Sequence, residues 1–280
     1  MRKLYVIGIG AGDPDQVTVQ AIKAMRRANV FFVIGKGAEK QELVDVRATI
    51  LAEHADQPHT VVEIADPPRD RTVPASRADA AYQGAVSDWH EARAELLERA
   101  FAETDGVGAI LVWGDPSLYD STLRIVERVL ERGRITFDYE VIPGITSVQS
   151  LAAAHRIVLH EIGEPVHITT GRKLREEGLA DGQSTLVMLD GDCSFTQLPG
   201  DDIHIWWGAY VGMPDELIIE GPLRKVEDDI VHRRAALRQA KGWIMDIYLL
   251  RRSVDLDEVA EYVETHDLSD SMETGTVESD

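Results

Sequence analysis

The sequence holds one cysteine, Cys193, in 280 residues. A lone thiol cannot close a disulfide within the chain or supply the paired ligands of a Cys-x-x-Cys metal or redox motif. A reducing compartment, the cytoplasm, is therefore expected. Basic residues are also scarce: 29 Lys and Arg stand against 49 Asp and Glu, for a formal net charge of -20, and no local basic run offsets it. Nucleic-acid phosphate would be repelled, so no nucleic-acid partner is expected. No apolar run approaches the ~20 residues of a membrane-spanning helix, so no membrane partner is expected either. Met1-Arg2-Lys3 and the apolar Leu4 to Ile7 resemble the start of a secretory leader, but glycines interrupt the run too early for one. Gly-x-Ser-x-Gly is missing, which disfavours a serine hydrolase. His155 and His160 lie five apart without a cysteine partner, a spacing that matches no zinc site, so no metal is expected.

What is present is a regular alternation of short apolar runs and helical spacing, which predicts an α/β fold. Strands are expected at Leu4–Ile9, Val30–Ile34, Thr60–Ile64, Val107–Trp113 and Phe137–Ile142. Helices are expected at Thr18–Ala28, Glu39–His54, Ser76–Glu103, Thr122–Glu131 and Val148–His155. From about Gly163 the texture changes to short runs (Val166–Thr169, Thr185–Leu189, Ile203–Trp207, Leu217–Ile219, Trp243–Leu250) separated by fewer and shorter helices. Residues 1–162 are thus read as one α/β domain and residues 163–265 as a second, smaller one with a mixed sheet. Residues 266–280 are small, polar and acidic, with almost nothing to bury, and read as a disordered tail.

Gly-Asp-Pro occurs twice, as Gly12-Asp13-Pro14 and Gly114-Asp115-Pro116, each just beyond an apolar run. Glycine lets the backbone turn sharply and approach a ligand, proline fixes φ, and aspartate accepts from nearby backbone N–H groups. Pro143-Gly144 follows a third such run, with Thr146 and Ser147 placed to cap the next helix or to bind a ligand. In an open parallel sheet these corners would share the edge where ligands bind. A dinucleotide fingerprint is opposed by Asp13, which stands where Gly-x-Gly-x-x-Gly needs its third glycine, and by Ile34-Gly35, which offers no acid to a ribose. Lys36 could meet a 2′-phosphate, which keeps an NADP-dependent oxidoreductase among the alternatives.

The series Gly8-Ile9-Gly10-Ala11-Gly12-Asp13-Pro14, Trp113-Gly114-Asp115-Pro116-Ser117-Leu118-Tyr119 and Pro143-Gly144-Ile145-Thr146-Ser147 resembles the tetrapyrrole (corrin/porphyrin) methylases. Thr185-Leu186-Val187-Met188-Leu189-Asp190-Gly191 and Gly212-Met213-Pro214-Asp215-Glu216 extend the likeness to about residue 265. The resemblance implies two αβα domains with the active site in the cleft between them, a homodimer, S-adenosylmethionine as methyl donor, and a tetrapyrrole as substrate. The subgroup it points to methylates a cobalamin precursor, precorrin-5, at C-1 and releases acetate. Carried over, the donor pocket would use Gly114, Asp115, Pro116, Tyr119, Thr146, Ser147, Leu189, Asp190, Ala209, Tyr210, Val211, Met213 and Pro214. Gly10, Ala11, Gly12 and Lys36 would face the tetrapyrrole, and Asp13 or Asp115 would orient the water that removes the acetyl group. Arg172, Lys173, His155 and Arg156 are the candidates for its carboxylates. Family members usually have proline at the Ala11 position and often an aspartate at the end of the second strand, where this chain has Ile34-Gly35. Another tetrapyrrole methylase of different methylation position, the oxidoreductase, and a non-catalytic nucleotide-sensing module remain the alternatives.

Overall fold

Residues 3–35, 41–68 and 80–252 are described by the computed structural model of the chain. Lys36, the expected helix starts at Glu39 and Ser76, and the acidic segment 266–280 lie outside the described residues.

The first half builds one five-stranded sheet from β1 (Lys3–Gly8), β2 (Val30–Gly35), β3 (Thr60–Ala65), β4 (Val107–Val112) and β5 (Asp138–Ile142), in the order β3-β2-β4-β1-β5. All its pairings are parallel. The sequence dictates the order of burial. β1 (Lys-Leu-Tyr-Val-Ile-Gly) and β4 (Val-Gly-Ala-Ile-Leu-Val) are apolar on both faces and occupy the centre, whereas β3 and β5 are mostly exposed or half-buried and form the edges. One face is covered by α1 (Val19–Met25) and α2 (Gln41–His54), packed against Tyr5, Ile7, Phe31 and Leu111. The other carries α3 (Ala80–Ala102) and α4 (Thr122–Glu131), packed against Leu4, Val6, Phe32 and Ile110. Because β1 pairs with β4 in register Gly8↔Val112 and with β5 in register Ile7↔Ile142, the chain leaves the three strands at adjacent points of one edge.

Helix α5 (Ser147–His155) then leads to a second sheet: β6 (Val166–Thr170), β7 (Ser184–Met188), β8 (Ile203–Ala209), β9 (Leu217–Pro222) and β10 (Asp246–Arg252), ordered β6-β7-β10-β8-β9. Only β6 and β7 run parallel; the other pairings are antiparallel, so the sheet is mixed. α6 (Gly171–Glu177) and α7 (Leu223–Lys241) cover one face with Leu174, Leu223 and Ile230. On the opposite face α5 packs Val148 and Leu151 onto Leu186, Ile247 and Leu249. The helix that follows the third corner of the first sheet is therefore also a core element of the second. Trp207 is fully buried, whereas its neighbour Trp206 is half-buried beside α5.

The expectation of fewer and shorter helices after Gly163 is corrected in length by α7, which runs for 19 residues. It was hidden because few of its side chains are apolar and buried, so no strong stripe marks it in the sequence. The last strand begins at Asp246 rather than Trp243, whose ring packs edge-on against Tyr210.

Candidate functional site

The three strand ends are fused backbone to backbone, and glycine is what allows it. A methyl group built on Gly8 would lie 2.6 Å from Gly144 N and 2.7 Å from Gly114 O; one built on Gly144 would lie 2.1 Å from Gly114 O. Gly10 and Gly114 exchange backbone hydrogen bonds, with Gly114 N donating to Gly10 O at 2.8 Å and Gly10 N to Gly114 O at 3.4 Å. The two Gly-Asp-Pro corners are thus stitched together, and the Pro143-Gly144 corner sits against both.

Asp115 braces this junction. Its Oδ1 accepts from the Ser117 amide at 2.8 Å and from the Ser117 hydroxyl, and its Oδ2 accepts from the Gly144 amide at 2.9 Å. Burial works to raise its pKa, but the Ser117 hydroxyl and the Gly144 and Ser117 amides together outweigh it and hold the carboxyl below the usual aspartate value. An anion so occupied suits a brace better than a base. Asp13 differs: it lines the cleft half-buried, its Oδ1 accepts from the Asp15 amide at 2.9 Å, and its other oxygen takes no hydrogen bond among the described residues. Thr146 completes a capping box with Gln149 at the start of α5, accepting from the Val148 amide at 3.1 Å while Gln149 Oε1 accepts from the Thr146 amide at 2.9 Å. Pro116 is buried behind the corner and Ser147 opens the helix.

From the second half, the turn after β8 meets the first corner, where a methyl group on Gly12 would lie 3.4 Å from Gly212 O. Leu189 and Tyr210 both adopt left-handed backbone, with φ of 54° and 51°, as does Tyr119 after the second corner at 51°. Each such residue costs about 1 kcal/mol or more, and strain of this kind gathers where a backbone is shaped for a ligand. Leu189 is 67% exposed and Tyr119 46% exposed, large apolar groups left at the surface after β7 and after the second corner. Their neighbours face inward instead. The Asp190 carboxylate is buried, accepting from Tyr248 Oη at 2.7 Å, Ser194 Oγ at 2.7 Å, and the Ser194 and Asp192 amides at 2.6 and 3.1 Å. Its side chain therefore fixes the turn after β7 from within. Ala209 and the Tyr210 ring are buried too, the Tyr210 hydroxyl donating to Trp243 O at 2.7 Å, so at these positions only backbone is available to border a ligand.

A cleft of about 640 Å³ runs between the halves, within the range of small-molecule sites. Of the residues expected from sequence, Gly12, Asp13, Met213 and Pro214 line it. Gly12 has no room for a side chain, since a methyl group there would lie 2.5 Å from Met213 Cγ. Val211 lies buried behind it, and Gly10 and Ala11 are buried at the first corner. Sequence reasoning missed Gln16, Ser150 and Glu216, which also line the cleft. Ser150 Oγ donates to Gln16 Oε1 at 2.9 Å, and Glu216 Oε2 accepts from the Gly212 amide at 2.8 Å. Glu216 was legible in the Gly-Met-Pro-Asp-Glu run; Gln16 and Ser150 gave no signal, being 134 residues apart.

The candidates for binding carboxylates are placed elsewhere or already engaged. Lys173 pairs with Glu176 and Glu177 on its own helix at 3.0 and 2.8 Å, and Arg172 lies 3.9 Å from Glu176. The His155 ring is buried, its Nε2 3.0 Å from Trp207 O, and Arg156 is the left-handed cap of α5. Among the described residues no group of three or more His, Cys, Asp or Glu is placed to hold a metal, and no helix is long and apolar enough to cross a membrane.

Comparison with known proteins bears on this geometry. Residues 3–227 match the model of the tetrapyrrole (corrin/porphyrin) methylases. The chain is 49% identical over 262 residues to precorrin-6A synthase [deacetylating] of a Sinorhizobium species, covering 92% of this chain and 98% of that one. A crystal structure described as a cobalamin synthesis related protein (CobF) of Corynebacterium diphtheriae superposes with a TM-score of 0.77 at 37% identity, covering 91% and 100% of the two chains. A uroporphyrin-III C-methyltransferase of Thermus thermophilus, solved with S-adenosylhomocysteine, shares the fold at a TM-score of 0.54 and 18% identity, covering 89% and 92%.

Proposed function

The chain belongs to the tetrapyrrole (corrin/porphyrin) methylases, and from that premise we propose that it methylates precorrin-5 at C-1 with S-adenosylmethionine and releases acetate to give precorrin-6A. It is a methyltransferase of cobalamin biosynthesis. The observation that carries the specific reaction is the 49% identity to the Sinorhizobium enzyme over 92% of this chain and 98% of that one. We take the working unit to be a cytoplasmic homodimer, as the family resemblance implies.

S-adenosylmethionine supplies a methyl group on a sulfonium, and the residues present suit such a ligand. Asp13 and Glu216 line the cleft and favour a cation, while Leu189 after β7 and Tyr119 after the second corner offer exposed apolar surface. Gly114, Pro116, Tyr119, Thr146, Ser147, Leu189 and the Ala209–Pro214 turn are the donor wall in this reading. Asp115 and Asp190 act at one remove, by holding the corner and the β7 turn. Gly10, Ala11 and Gly12 border the acceptor, with Lys36. Transfer is an in-line displacement, so the chain's main task is to hold the partners aligned and exclude water, which can supply roughly 7–11 kcal/mol.

Loss of the acetyl group needs water to attack its carbonyl carbon. The bond to the ring then breaks and acetate leaves; the ring takes a proton in its place and gives one up on methylation, so that the net change is one acetyl exchanged for one methyl. Asp13 has in the cleft a carboxylate oxygen that takes no hydrogen bond among the described residues and can orient that water, whereas both oxygens of Asp115 are taken. Incubation with precorrin-5 and labelled donor, followed by mass spectrometry, should give a product that has gained one methyl and lost one acetyl. A product that keeps the acetyl would redirect the assignment to a sister methylase. Asp13→Asn should slow acetate release more than methyl transfer; equal slowing would argue against its role with water.

A further inference from the structure

A polycarboxylate substrate sets a problem for a chain of net charge -20, because some cation must meet it locally. Most well-placed arginines are committed: Arg93, Arg132, Arg234 and Arg251 each hold a carboxylate at 2.9 Å or less. Arg47 is different. It lies half-buried on α2, in the turn whose Val46 and Thr49 line the cleft. Its Nη1 donates to Leu43 O at 2.8 Å and its Nε to Leu111 O at 3.4 Å, and it forms no ion pair among the described residues. The carboxylate that faces it, Asp120, is near enough to be felt electrostatically but is not in contact.

The guanidinium also lies over the Trp113 ring at 5.8 Å from its centroid. Trp113 in turn backs the first corner, where a methyl group on Gly12 would come within 3.4 Å of its Cζ2. Arg47 is therefore fixed at both ends, by the β4 carbonyl and the indole, at the rim of the second corner and behind the first. A guanidinium has five N–H donors in a rigid fork, and two of them are used among the described residues. Burial lowers its pKa, because desolvation disfavours the charged form, and the Asp120 carboxylate offsets this only in part.

We infer that Arg47 receives a carboxylate of the tetrapyrrole acceptor and fixes the orientation of the ring in the cleft. This rests on the function proposed above, since the anion it awaits is a propionate or acetate side chain of that substrate. A planar fork already oriented on Trp113 can take both oxygens of one carboxylate, which gives direction as well as attraction.

The test compares the full-length protein with Arg47→Met and Arg47→Lys. Precorrin-6A, the product, serves as the acceptor probe, with binding followed by quenching of tryptophan fluorescence; S-adenosylhomocysteine binding is followed by calorimetry. In Arg47→Met the Kd for precorrin-6A should rise by about 10- to 100-fold, as for loss of a charge-assisted hydrogen-bonded pair. Arg47→Lys should recover some of that loss, the KM for precorrin-5 should rise more than kcat falls, and S-adenosylhomocysteine should bind as before. Precorrin-6A binding within twofold of wild type in Arg47→Met would overturn the inference. Parallel loss of both ligands in both variants, with a lowered Tm, would reduce Arg47 to a structural tie and overturn it equally. A wild-type protein that binds S-adenosylhomocysteine but neither precorrin would fail earlier, at the proposed function itself.

Discussion

At Gly144 a single methyl group would overlap the Gly114 carbonyl oxygen at 2.1 Å and meet Gly8 Cα at 2.8 Å. Both obstacles are backbone, so Gly144→Ala must push the neighbouring corners away, at about 1–3 kcal/mol. Gly133, with φ of +68° and nothing within 4 Å, meets only the left-handed backbone penalty on the same change, about 1–2 kcal/mol. Urea unfolding should find both variants destabilised, but a donor titration should separate them, because only Gly144→Ala disturbs the junction against which the donor is proposed to lie. Asp115 makes a second test at this scale. Its folded pKa lies below the 3.8 of a free aspartate, since hydrogen bonds from Ser117 and Gly144 outweigh burial. A depressed folded pKa contributes stability above the unfolded value and loses it as pH falls through the folded one. Asp115→Asn should therefore flatten the acid limb of the stability profile below about pH 4, measured as urea midpoints against pH. An acid limb as steep as in wild type would show that the carboxylate does not hold the corner.

α7 illustrates how an element can be secured by polar contacts where its apolar face is thin. Its buried residues are Leu223, Ile230 and Arg234. Arg234 Nε donates to Asp246 Oδ2 at 2.8 Å, its Nη2 to Asp190 O at 2.6 Å, and Trp207 Nε1 to the same Asp246 oxygen at 3.1 Å. The helix is thereby tied to the first residue of β10 and to the turn after β7. Arg234→Met would leave Asp246 buried and unpaired, which costs about 3–5 kcal/mol. The double change Arg234→Met with Asp246→Leu should recover much of it, by thermal or urea unfolding; no recovery would place the loss in packing rather than in the stranded charge. The same helix marks the limit of reading elements from sequence. β1, β2 and β4 were legible because burial on both faces forces continuous apolar runs, and the corners because glycine and proline punctuate them. α7 was not, since a helix held by an arginine and a few aliphatic side chains looks like solvated surface. The site divides along the same line. Gly-Asp-Pro spacing located the loops, but which way Asp190 and Tyr210 point, and that α2 brings Arg47 to Trp113 and α5 brings Ser150 to Gln16, depends on packing between segments far apart in the chain.

For the molecule as a whole, the net charge of -20 makes the two reactants of the proposed reaction experience opposite fields. S-adenosylmethionine carries a net positive charge at neutral pH and is drawn toward an acidic surface; a tetrapyrrole with several ionised carboxylates is repelled by it until it reaches a local cation. Fields acting over more than a Debye length, about 8–10 Å near physiological salt, are screened first, whereas contacts with a partly desolvated group such as Arg47 are screened much less. Raising ionic strength should therefore remove the long-range repulsion while leaving most of the short-range pairing in place. Between about 0.02 and 0.2 M salt, kcat/KM for the tetrapyrrole should rise and kcat/KM for S-adenosylmethionine should fall, with kcat nearly constant. Steady-state kinetics with one reactant saturating at a time would measure the two slopes. A fall with salt for both would mean that a basic path to the acceptor site outweighs the overall charge, and the search for further cations would then turn from Arg47 to the rest of the cleft rim.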